Sequence, residues 1–208
     1  MRPHLATYRS VFLASGLLAL ATGATVGGFA LLARHQSRAG DSGKPAHACP
    51  SAYASLLHPE LPTLLLFAHP QCPCTIATIA ELERVAAKCE GRLHVIVCVD
   101  APAAFSSELV HGRTWTRASA TPSFDVKEDA HGRIASAFGV RTSGHALLFA
   151  PDGELLFDGG ITGSRGHEGD NPGSLAVVDI VLGRAPDCRF TPVYGCALFA
   201  ADVPPEAL

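Results

Sequence analysis

Charge is scarce in this chain. Of 208 residues, 16 are lysine or arginine and 19 are aspartate or glutamate, leaving a net charge of −3 and a charged fraction of 17%. There is no basic stripe and no interleaving of aromatic with basic residues, which excludes the usual signatures of a nucleic-acid partner. No strand leads into a phosphate-cradling Gly-Lys-Ser/Thr loop, so nothing points to a nucleotide. No internal repeat is present. Residues 11–33 hold no charged residue at all. A helix of that length and character crosses a bilayer. The same run also reads as a secretory signal, with Ala19-Leu20-Ala21 as a small-x-small cleavage site. Apolar residues continue well past Ala21, which favours a retained anchor. Gly23 and Gly27 have the small-xxx-small spacing of paired membrane helices. Arg2 and Arg9 precede the run and Arg34, Arg38 and Lys44 follow it, so charge does not orient it.

What is plentiful is apolar residues, at 48%, and cysteine, at seven. The chain divides into an N-terminal cytoplasmic flank (1–10), a transmembrane anchor (11–33), a polar linker (34–50), a folded domain (51–185) and an irregular tail (186–208). In the domain, 63–67 is a continuous apolar run, as for a strand buried on both faces. A helix follows from Cys72 to about Cys89, with Ile76, Ile79, Leu82, Val85 and Ala86 at three- and four-residue spacing. A second apolar strand covers 93–99, giving a right-handed parallel crossover. Residues 104–110 and 129–138 read as helices, and 145–150 and 154–157 as a hairpin turning at Pro151-Asp152-Gly153. The last helix has Asn171 as N-cap, Pro172 in its first turn and Gly183 as its stop. The expected class is α/β, a central mixed sheet flanked by helices, with one N-terminal transmembrane helix.

The chemistry concentrates at Cys72-Pro73-Cys74. Cys72 falls at the helix N-cap and Pro73 at the first helical position, where a missing N–H costs nothing. The partial positive charge and free N–H groups of a helix start stabilise a thiolate. Cys72 is therefore expected to be acidic and to react first. Cys74, one step further in, is expected to be less accessible and to resolve the mixed disulfide. A Cys72–Cys74 disulfide closes a very small ring, and strain makes such a bond easy to reduce. Cys89 and Cys98 read as core residues. Cys188 and Cys196 flank a short loop and are candidates for a structural disulfide outside the cytoplasm. Cys49 is the odd one out. His145 begins the hairpin strand; with Cys72 and Cys74 it makes a soft ligand set suited to Cu(I), or it serves only as a loop histidine. His69 is placed similarly. The glycine-rich 160–171 segment carries Arg165, His167, Glu168 and Asp170. It reads either as a partner-binding rim, with Gly144, or as a solvated loop.

The element order, with paired cysteines at the first strand-to-helix junction, resembles the thioredoxin fold, and within it the membrane-anchored bacterial branch. The resemblance rests on Phe67-Ala68-His69-Pro70-Gln71-Cys72-Pro73-Cys74, Phe138-Gly139-Val140-Arg141 and the turn at Pro151-Asp152-Gly153, and covers about 61–183. The His-Pro-x-Cys-Pro-Cys form, with Thr142-Ser143-Gly144-His145 and the glycine-rich segment, is similar to the little-characterised RedB-like proteins. The resemblance implies a single-pass protein of the bacterial inner membrane, facing the periplasm, that exchanges disulfides with protein thiols and requires no cofactor. Two departures stand out. One residue, not two, separates the cysteines. Gly144 stands about where the family has a cis-proline, a residue that holds the substrate backbone and keeps metals off the cysteines. That change implies readier Cu(I) binding with His145 as third ligand, as in the Sco-type copper-delivery proteins. It also implies that Gly144→Pro weakens metal binding while sparing disulfide exchange. A non-catalytic adaptor of the same fold is a third reading.

Overall fold

The structure is a computed structural model that describes residues 3–199, with side chains from residue 12 onward. Most of the proposed N-terminal flank and the last part of the tail, 200–208, lie outside the described side chains. The chain forms two units, 1–37 and 38–208.

The first unit is one helix, α1 (Pro3–Gln36). Its stretch Phe12–Gln36, 25 residues, is long and apolar enough to cross a membrane. Phe12, Leu17, Leu20, Phe29 and Leu31 all lie exposed, so no protein core accounts for its apolarity.

The second unit is built on a five-stranded sheet. In chain order it contains β1 (Thr63–Ala68), α2 (Pro73–Lys88), β2 (His94–Ala101), α3 (Ser107–Val110), α4 (Arg113–Ser119), β3 (Phe124–Ala130), α5 (Arg133–Ala137), β4 (His145–Phe149), β5 (Leu155–Gly160) and α6 (Pro172–Val181). The strand order is β3-β2-β1-β4-β5. β1, β2 and β3 run parallel; β4 is antiparallel to β1, and β5 to β4. The central strand β1 is buried along its whole length, which is why 63–67 lacks the alternation of a one-sided strand.

Alternate residues of the strands feed two cores. Leu64, Leu66, Val97, Val99, Ala146 and Leu148 pack against Ile79, Leu82 and Val85 of α2 and Val177 of α6. Leu65, Phe67, Ile96, Leu147 and Phe149 pack on the other face, against Phe138 and Tyr53. Asn171 caps α6, its side chain accepting from the Ser174 N–H at 3.0 Å.

Two sequence expectations change. Residues 129–138 do not form one helix: β3 occupies the start and α5 only the end. β3 is an edge strand whose middle residues face solvent, and its Lys127-Glu128-Asp129 run hides strand character from an apolar search. The expected linker and tail are also bound into the domain. Gly40 N–H donates to Val193 O (2.8 Å), Lys44 N–H to Gly139 O (3.0 Å) and Leu155 N–H to His47 O (3.1 Å). Both segments are polar or irregular because they bond through the backbone, which leaves no side-chain period to read.

One buried carboxyl gives the fold a pH signature. Asp100 is buried, and its Oδ2 has no partner among the described residues. Burial, then the charge of the paired Asp129, push it up to about 7. A raised carboxyl pKa means that the folded state keeps a proton the unfolded state has lost. Its contribution therefore falls as pH rises from the ordinary carboxylate range to about 7. Asp100→Asn is expected to hold its urea midpoint between about pH 5 and about pH 8 better than wild type does. Equal losses in the two proteins would contradict the assignment.

Candidate active site

The site sits where β1 hands over to α2. His69-Pro70-Gln71-Cys72 makes the turn, closed by a hydrogen bond from Cys72 N–H to His69 O at 3.1 Å. Thr114 holds the turn from outside, its hydroxyl donating to Pro70 O at 2.8 Å. Cys72 is the N-cap in an extended conformation and Pro73 the first helical residue.

Beside the turn lies the loop Arg141-Thr142-Ser143-Gly144 that leads into β4. Gly144 N–H donates to Phe67 O at 2.7 Å, tying this loop to the end of β1. Ser143 Oγ accepts from His69 N–H and stands 2.8 Å from Thr75 Oγ1. Thr75 and Ser143 are both buried. The Thr75 hydroxyl bonds the Cys72 sulfur. Each hydroxyl has a single proton, so when Thr75 donates to the thiolate, Ser143 donates to Thr75 while accepting from His69 N–H. Such chains polarise one another.

The C-terminal segment covers this arrangement. Ala197 pairs with Thr142 in an antiparallel bridge. Ser143 N–H donates to Cys196 O at 2.8 Å, and Leu198 N–H to Arg141 O at 2.9 Å. Arg165 Nη1 donates to Gly195 O at 2.5 Å. As a result Cys72 is only 2% exposed, whereas Cys74 is half-buried. That reverses the expected order of accessibility, because the cover comes from a distant segment and not from the helix.

The two thiols also differ electrostatically. Burial pushes the Cys72 thiol up, but hydrogen bonds from Thr75, from the N–H and thiol of Cys196 and from Cys74 N–H outweigh it, and the net shift is downward. Cys74 is pushed up by burial and then by the Cys72 charge, with Arg165 opposing. Cys196 is pushed up to about 12, by burial and then by its bond to Cys72 and the charge there.

Other expected site residues fall elsewhere. His145 lies on the sheet face of Leu147 and Phe149, opposite the face that α2 covers. It is fully buried and its Nε2 bonds Asp158 Oδ1 at 2.5 Å. Among the described residues no group of three His, Cys, Asp or Glu side chains is assembled to hold a metal ion. The Cys72, Cys74 and His145 set is therefore not brought together. Glu168 pairs with Arg84 (2.8 Å) and Asp170 with Lys88 (3.3 Å), both on α2. His167 is exposed, its Nδ1 3.2 Å from Arg165 O. The rim thus borders α2, and only its Arg165 reaches the thiols. Cys188 and Cys196 are free and have different neighbours, Pro172 O for the first and Cys72 for the second, so the candidate disulfide between them is not formed here. Thr75 and Ser143 carry no role in the sequence pattern, while Arg165 stands there only as part of the 160–171 rim and Cys196 only as a candidate partner of Cys188. The odd cysteine count was the one signal that bore on Cys196.

Three parallel strands, an antiparallel hairpin on the central strand, and a cysteine pair at the first strand-to-helix junction decide the fold. The fold is thioredoxin-like. No protein-family model matches this thioredoxin-like chain, and no curated protein does. Among solved structures it is similar to a hypothetical protein from Sinorhizobium meliloti 1021, at 20% identity and a TM-score of 0.59, over 80% of this chain and 98% of that one. An uncharacterized conserved protein from Geobacillus kaustophilus is similar at 16% identity and a TM-score of 0.57, over 81% of this chain and 95% of that one. A putative thiol:disulfide interchange protein DsbE from Chlorobium tepidum superimposes less closely, at 14% identity and a TM-score of 0.43, over 70% of this chain and 95% of that one.

Proposed function

We propose that this protein is a membrane-tethered thiol–disulfide oxidoreductase whose attacking group is the Cys72 thiolate. The observation that carries the reading is the convergence of donors on one sulfur: the Ser143–Thr75 chain, two backbone N–H groups and the Cys196 thiol. Such partners favour the thiolate over the thiol, and the thiolate is the form that attacks a disulfide. The mixed disulfide formed on Cys72 is then released by a second thiol; Cys74 is the candidate within the motif. Protein thiols and disulfides are the substrates. The tether is the apolar stretch Phe12–Gln36, read as a retained single-pass anchor with the domain facing the periplasm. A copper-carrying role has less support, because His145 is committed to Asp158.

Labelling against pH tests the reading. The thiolate is the labelled form, so a lowered pKa moves the rate midpoint down and a raised one moves it up. Peptide-resolved alkylation of the full chain is expected to give Cys72 a midpoint below the ordinary thiol value of 9.0 and Cys74 a midpoint above it. The reverse order overturns the assignment of Cys72 as the attacking thiolate.

A further inference from the structure

Cys72 has two thiols beside it, not one, and the second comes from the far end of the chain. Residues 191–198 lie over the site as a strap. Thr191 is bonded to Asp158 O and Gly160 O, Gly195 to Arg165, and Cys196, Ala197 and Leu198 pair with Arg141, Thr142 and Ser143. Ser143 fixes the position of Cys196. Its N–H takes the Cys196 carbonyl, while its Oγ joins His69 N–H and Thr75 at the start of α2. The strap therefore reaches the turn that carries Cys72 by a short run of hydrogen bonds.

We propose that Cys196 is the resolving thiol, and that the strap acts as a built-in partner peptide whose cysteine forms a reversible disulfide with Cys72. This rests on the thiol-exchange reading of Cys72. The strap leaves Cys72 only 2% exposed, as a docked partner segment would. The N–H and the thiol of Cys196 both act on the Cys72 sulfur, lowering its pKa. Cys74 is placed less well to close a bond. Only Pro73 separates it from Cys72, and that ring locks the intervening backbone. Side chains two apart at a helix start do not face each other, so bridging them strains the bond. No such ring constrains the pairing of residues 72 and 196.

The step balances as follows. The Cys72 thiolate attacks a partner disulfide, and one partner sulfur leaves and takes up a proton. The Cys196 thiol gives up its proton and attacks Cys72 in the mixed disulfide. The second partner sulfur leaves and takes up that proton. A partner disulfide has become two thiols, and Cys72 and Cys196 have become one disulfide; the reverse sequence oxidises a dithiol. Order is built in. Burial and then the Cys72 sulfur keep Cys196 protonated, and forming the mixed disulfide removes the Cys72 charge, which eases deprotonation of Cys196 at the step that needs it.

The test uses the reduced full chain in detergent, with oxidised glutathione as the probe. After acid quench and alkylation, linked peptides are mapped by mass spectrometry in wild type, Cys74→Ser and Cys196→Ser. Wild type and Cys74→Ser are expected to yield a link between 72 and 196. Cys196→Ser is expected to retain glutathione on Cys72 at least about tenfold longer than Cys74→Ser does. A 72–74 link in wild type, with no 72–196 link in Cys74→Ser, overturns the proposal while leaving the exchange reading intact. The Cys74→Ser result decides this even where Cys196→Ser fails to fold. Absence of glutathione from Cys72 in every protein overturns both readings.

Discussion

Gly195→Val is expected to uncover Cys72 and raise its labelling rate about a hundredfold, on the basis that opening a site held by hydrogen bonds worth about 1 kcal/mol each scales with their number. A Cβ at Gly195 would lie 1.8 Å from Ser143 O and 2.8 Å from Ser143 C. Those are backbone atoms and cannot turn aside, so the strap must lift. Lifting breaks the bonds of Ser143 N–H to Cys196 O, of Leu198 N–H to Arg141 O and of Arg165 to Gly195 O. Three such bonds hold the strap by about 3 kcal/mol, or two decades in the open population. The Cys72 thiolate also loses its Cys196 donors, which raises its pKa and takes back a small part of the gain. Peptide-resolved alkylation at a pH well above the midpoint removes that second effect. An unchanged rate in the folded variant would show that the strap does not gate the thiol.

Gly144→Pro is expected to cost about 3 kcal/mol or more of stability. Gly144 has φ of +89°, a left-handed conformation, and its N–H donates to Phe67 O at 2.7 Å. Proline fixes φ near about −65° and has no N–H, so both features are lost together. The resemblance to thioredoxins implied that proline here would spare disulfide exchange. The backbone adds a cost to that expectation: the position is built for glycine. Gly144→Ala is expected to lose less, about 1–2 kcal/mol for a non-glycine residue held at positive φ, with its Cβ 3.2 Å from Thr78 Oγ1. Urea midpoints followed by circular dichroism check both values, and a proline variant as stable as wild type would contradict the assigned backbone.

The elements that bury side chains were legible from sequence. β1 and β2 announced themselves as apolar runs, α2 by its three- and four-residue period, and α6 by its cap and stop residues. β3 did not, because an edge strand with Lys127, Glu128 and Asp129 on it has no apolar signature. The motif itself was equally legible: Cys72 at the N-cap and Pro73 at the first helical position follow from local chemistry. The rest of the site was not. Thr75, Ser143, Arg165 and Cys196 meet through backbone pairing between a loop near residue 142 and a segment near residue 197. That contact joins stretches far apart in the chain and leaves no period, cap or spacing to read. Cys196 was visible only as one of seven cysteines, and its nearness to Cys188 suggested the wrong partner.

The central claim is that Cys72 exchanges disulfides, and the most direct measurement is the reaction of the reduced full chain with oxidised glutathione, followed by release of reduced glutathione. Wild type is expected to release reduced glutathione faster than Cys72→Ser does, because thiol–disulfide exchange follows the thiolate fraction and the Cys72 pKa is lowered. Cys72→Ser, folded as judged by its circular dichroism, is expected to fall to the rate of the remaining six thiols. A Cys72→Ser protein that reacts as fast as wild type would contradict the account.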